Sequence, residues 1–158
     1  MSCCILSCIH TKRHPNTEYT IYDERFHRFN PFKPIQQNLT IDHIWKFLKK
    51  IRTNHLIPCE AFIMAAVYMD RLAVISGVYM NEWNWRRILL VAIMVGFKVV
   101  SDFTVFNKDL LGTFPYLTQK GTNDLERSFL KHIDFRVCVS SSVYALYYFG
   151  LRSMMIGL

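Results

Sequence analysis

The run from Ile88 to Phe97 is apolar on every side, and Lys98 stops it. As a helix it has no polar face to offer water, so it must lie among other helices. A second such segment, Ala61 to Met69, precedes it. Two helices of this kind in succession require a globular multi-helix bundle and exclude a coiled coil. Neither run approaches the roughly 18–20 apolar residues that a membrane span needs. With 158 residues, 51% of them apolar and 15% aromatic, the chain can bury such a core in one domain.

Helix signals surround these two segments. Thr40 caps a first predicted helix in which Ile41, Ile44, Trp45, Leu48 and Ile51 share one face. Lys46, Lys49, Lys50 and Arg52 lie mostly opposite, and the helix ends near Thr53-Asn54. Pro58 suits the first turn of the second helix, which Gly77 and the polar NEWN stretch close off. Asn84 caps the third, from Trp85 to about Ser101, and Asn107 starts a short fourth, bounded by Gly112 and Pro115. Thr118 caps a fifth, with Leu125, Phe129, Leu130 and Ile133 on its apolar face; Gly121 weakens its first turn by about 1 kcal/mol. Ser140 to Ser142 offer caps for a last, tyrosine-rich helix from Val143 to about Met154. The expectation is an all-α fold of six helices. Residues 1–38 read as an N-terminal arm, partly extended or disordered, with Phe26, Phe29 and Phe32 spaced to pack in part against the domain. The helical domain then covers residues 39–138, and 139–158 form the C-terminal helix.

No HExxH, CxxC, GxSxG, P-loop or GxGxxG pattern occurs, so the sequence carries no catalytic signature and calls for no cofactor. Four of the six histidines (His10, His14, His27 and His55) fall in arm or connecting segments. Five cysteines without regular spacing argue against a disulfide framework and for a reducing, intracellular compartment, cytoplasmic or nuclear. Cys59 and Cys138 are expected to be buried as small apolar residues. Cys3, Cys4, Cys8 and His10 lack the paired spacing of a metal site. The N-terminus has neither the charge nor the apolar length of a secretory signal, which makes the Asn38-Leu39-Thr40 sequon accidental. The one route to a membrane in the sequence is acylation of Cys3, Cys4 or Cys8. The net charge of +7 would suit nucleic acid, anionic lipid or an acidic protein. Its basic residues are spread over the arm, the first helix, Arg86/Arg87 and Arg127/Lys131 rather than forming one stripe, which weakens the nucleic-acid reading.

Two charge pairs stand out. Lys98 follows the apolar run, and Glu126 flanks the apolar face of the fifth helix. If the third and fifth helices pack together, the two side chains meet where both reach the surface; otherwise Lys98 snorkels to water and Glu126 is solvated. Lys46 and Asp70 are a second potential pair, between the first and second helices, and again two solvated charges are the alternative.

A five-helix domain with a buried third helix ending in lysine and a glutamate in the fifth resembles a cyclin box. The likeness is carried by YDERFH at 22–27, YMDRL at 68–72, NWRRILLVAIMVGFKVVSD at 84–102 and NDLERSFLKHIDF at 123–135. The tail SSSVYALYYFGLRSM at 140–154 resembles the cyclin Y branch, which is related to the Pho80-like cyclins. The resemblance implies a cyclin box with an N-terminal arm and an additional C-terminal helix. It also implies a non-catalytic subunit that binds and activates a cyclin-dependent kinase of the PFTAIRE/PCTAIRE type. It assigns Lys98 and Glu126 to the centre of the kinase-binding surface, with Phe97, Val99, Asp102, Phe129 and Leu130 completing or supporting it, and it makes a Lys46–Asp70 contact more plausible. The chain departs from the branch at Ser2, where a myristoylated glycine can stand, and in lacking long serine-bearing flanks; it shows no second box, as in single-box cyclins. It has no MRxIL pattern in the first helix, and Gly112, Pro115, Gly121 and the Gly96-Phe97 pair are unusual for the family. These departures leave a divergent cyclin-like scaffold without kinase activation as the first alternative, with a basic helical nucleic-acid-binding module behind it.

Overall fold

A computed structural model describes residues 1–10, 19–35 and 38–156, apart from the side chains of Cys3, His10 and residues 154–156. His14 lies outside the described residues. Seven α-helices and no strands occur among those described: α1 (Ser2–His10), α2 (Ile41–His55), α3 (Cys59–Ser76), α4 (Trp85–Val100), α5 (Asn107–Leu111), α6 (Gln119–His132) and α7 (Ser141–Ile156). The five helices α2 to α6 are the expected box, and α7 is the expected additional helix.

Helix ends follow local chemistry. The Thr40 hydroxyl and the His43 ring nitrogen Nδ1 meet at 2.9 Å, and the Thr40 N–H donates to that nitrogen at 3.2 Å, fixing the start of α2. Gly77 ends α3 in the left-handed region at φ 67°, donating its N–H to the Ala73 carbonyl at 3.0 Å. Asn84 organises the turn before α4 instead of capping the helix amides. Its Oδ1 accepts from the Asn81 N–H at 2.7 Å, and its Nδ2 donates to the Tyr79 carbonyl at 3.0 Å. Thr118 Oγ1 accepts the Gly121 N–H at 3.0 Å at the head of α6.

The centre of the molecule is α4, buried continuously from Arg87 to Phe97 and packed most extensively on α3. The inward face of α2 is Ile44, Phe47, Leu48 and Ile51; Ile41 and Trp45, expected inside, are exposed. The difference is Phe47, whose ring meets those of Phe29, Trp85 and Phe114 and turns the helix by one position. Phe29 is the arm phenylalanine that enters the core, whereas Phe26 and Phe32 remain exposed.

The arm contains α1, an element without a sequence signal, which lies on α2 and buries Ile5 and Ile9. Further along, the 22–27 motif is tied down residue by residue. The Tyr22 hydroxyl and His132 Nδ1 are 2.7 Å apart, and the Glu24 N–H donates to the Trp83 carbonyl at 2.8 Å. The Glu24 carboxylate pairs with the Arg86 guanidinium through two hydrogen bonds. Buried Arg87 donates to the carbonyls of Ile21 at 2.7 Å and His27 at 3.2 Å.

The 68–72 motif anchors the link between α6 and α7. The Tyr68 hydroxyl donates to the Val137 carbonyl at 2.7 Å, and Arg71 donates to the carbonyls of Arg136 and Cys138. Asp70 accepts the Tyr147 hydroxyl of α7 at 2.6 Å. This corrects the expected Lys46–Asp70 pair: among the described residues no ion pair joins them, and Lys46 is exposed on α2. Cys59 and Cys138 are also corrected. One starts α3 and the other lies in the link before α7, and both are exposed.

Candidate functional site: a lysine–glutamate pair across three helices

The last turn of α4 carries Lys98 out of the core, and the second turn of α6 carries Glu126 towards it. Lys98 Nζ and Glu126 Oε1 lie 2.6 Å apart, with the side chains 27% and 17% exposed. The pair is therefore half-withdrawn from water, where a charged hydrogen bond is stronger than on an open surface. The other carboxylate oxygen, Oε2, accepts from Asn107 Nδ2 of α5 at 2.6 Å. Asn107 Nδ2 also donates to Asn123 Oδ1 of α6 at 2.8 Å. Three helices thus converge on one carboxylate.

The remaining expected residues divide by depth. Phe97 and Phe129 are buried behind the pair and form part of the core that holds it. Leu130 is half-buried on α6, while Val99 and Asp102 are exposed at and just beyond the end of α4. The link from α4 to α5 adds two exposed rings that the sequence reading did not single out. Phe103 is 66% exposed and stands 6.0 Å from the Phe97 ring; Phe106, 54% exposed, directly precedes Asn107. Val99, Phe103 and Phe106 are thus exposed apolar residues on and just after the last turn of α4, the turn that carries Lys98. Exposed apolar side chains near a charge pair suit protein docking better than small-molecule chemistry. Phe103 and Phe106 carried a faint signal as aromatics in a connection, and Asn107 carried none, because a helix-starting Asn is ordinarily only a cap.

Groups of three or more His, Cys, Asp or Glu placed to hold a metal are absent among the described residues. No described helix is long and apolar enough to cross a membrane. Arg86 is paired with Glu24, Arg87 is buried, and Arg127 and Arg136 pair with Asp124 and Asp134, while Lys46, Lys49, Lys50 and Arg52 are exposed together on α2.

The family model described as Cyclin matches residues 5–137, from within α1 to the link before α7. No solved structure matches the chain. The matched range takes in all of α2 to α6, including Lys98, Asn107 and Glu126. The chain belongs to the cyclin family, whose domains are regulatory and non-enzymatic and have, in general, a protein kinase as partner.

Proposed function

We propose that this chain is a cyclin Y-like regulatory subunit, related to the Pho80-like cyclins, that binds and activates a cyclin-dependent kinase of the PFTAIRE/PCTAIRE type. The observation that carries the proposal is the Lys98–Glu126 pair, assembled at 2.6 Å beside exposed Val99, Phe103 and Phe106. A rigid ion pair with an apolar surround fits a helix of a partner, offering one donor and one acceptor amid buried contact area. The chain contributes no catalytic group. It acts by binding the active arrangement of the kinase more tightly than the inactive one, which shifts the kinase population towards ordered, phosphoryl-transfer-competent molecules. The setting is intracellular, in keeping with the irregular cysteines.

The test is capture of purified cyclin-dependent kinases, PFTAIRE and PCTAIRE types included, with phosphoryl transfer read from the captured material. Selective capture with activity supports the proposal. Capture without activity favours the divergent scaffold, and capture of other cyclin-dependent kinases alone overturns the assigned partner type.

A further inference from the structure

Asn107 makes an unusual use of its amide. The residue is only 6% exposed, and its Nδ2 gives its hydrogens to Asn123 Oδ1 at 2.8 Å and Glu126 Oε2 at 2.6 Å. Its Oδ1 is buried without a hydrogen-bond partner. Turning the amide over would aim that oxygen at two other acceptors, so Asn123 and Glu126 fix the orientation. The amide thus spends both of its hydrogens on α6, one of them on the Glu126 carboxylate.

What Glu126 gains is definition. Lys98 holds one carboxylate oxygen and Asn107 the other, so the side chain is clamped at both oxygens before any partner arrives. A glutamate held by one partner alone keeps rotamer freedom that binding must then remove. We infer that Asn107 is a positioning residue of the kinase-binding surface, locking Glu126 so that the Lys98–Glu126 pair meets its partner already formed. This rests on the kinase-binding reading above.

A double-mutant cycle separates the two. The dissociation constant of a captured cyclin-dependent kinase is measured for wild type, Asn107→Leu, Glu126→Ala and the double variant, with Asn107→Ala run in parallel in case leucine is not accommodated. Urea unfolding of each reports stability. The expected result is about a tenfold loss of affinity for Asn107→Leu, the scale of one hydrogen bond to a charged group. That loss is read where urea unfolding shows each variant fully folded, and it vanishes in the Glu126→Ala background, since Asn107 acts through that carboxylate. Unchanged affinity, or an equal loss in both backgrounds, overturns the positioning role while leaving the surface assignment intact. Undiminished affinity in Glu126→Ala itself removes the surface assignment and the positioning role together.

Discussion

At the scale of single residues, burial decides which charges matter. Glu24 is 1% exposed, and burial raises its carboxyl above the usual range while the hydrogen bonds and charge of Arg86 pull it back down. Its partner Arg86 keeps some contact with water. The two halves of the pair are thus unequal. Arg86→Ala strands a buried carboxylate and should cost about 3 kcal/mol, whereas Glu24→Ala leaves a guanidinium that can turn outward and should cost about 1–2 kcal/mol. Urea unfolding of the two variants checks the order, and the reverse order would contradict it. His132 gives a pH dependence. Burial holds its imidazole below the usual range, with Lys131 adding to the shift, and burial is also the main cause of lowered values at His27 and His55. Each is then a weaker base folded than unfolded. Their contribution is complete above pH about 6.5 and is lost as pH falls from there towards the lowered folded values. The urea midpoint should drop between pH 7.5 and 6.0, and His132→Gln should reduce the drop; a flat profile in wild type would refute this.

At the scale of elements, α3 and α4 come close together at Gly96. A Cβ added at Gly96 would fall 2.6 Å from the Ala61 carbonyl oxygen and 3.2 Å from Met64 Cβ. Backbone cannot yield as a side chain can, so Gly96→Ala should destabilise by about 1–3 kcal/mol. Gly150 in α7 meets nothing within 4 Å of such a Cβ. There the better helix propensity of alanine should stabilise by about 0.5–1 kcal/mol. Thermal unfolding of both variants reads the contrast, and similar effects at the two sites would contradict the packing described. Gly96, the small member of the Gly96-Phe97 pair, is thus the residue that lets the two central helices touch. Much of the element order was legible because α3 and α4 advertise themselves by all-round apolarity and because Thr40, Gly77 and Thr118 are strong local stops and starts. Legibility failed where tertiary contact overrides local pattern. Nine residues of α1 are too few to nucleate alone and owe their helix to the burial of Ile5 and Ile9. Trp45 would fit the apolar face of α2 as well as Phe47 does, until Phe29, Trp85 and Phe114 choose between them. At the candidate site, Lys98 and Glu126 were visible as misplaced charges, but Asn107 is recognisable only once α5 is laid against α6.

At the scale of the whole molecule, long-range ties gather at α4 and its two ends. The arm is bound to the start of α4 through Arg86 and Arg87, and α5 and α6 meet its end at Lys98. Part of the positive charge is engaged within the fold: Arg86 is taken up by Glu24, Arg87 lies inside, and Lys50 of α2 stands over the Phe114 ring at 4.9 Å. The end of α4 places a semi-buried charge pair near exposed apolar residues, Val99, Phe103 and Phe106. Under the proposed function a kinase binds there, and calorimetric titration of a captured cyclin-dependent kinase with wild type, Lys98→Glu and Glu126→Lys reads that contact. The predicted result is a loss of affinity of at least about a hundredfold in both variants, the scale of a broken, desolvated charge pair, with helical circular dichroism unchanged. Wild-type affinity in both well-folded variants would contradict it.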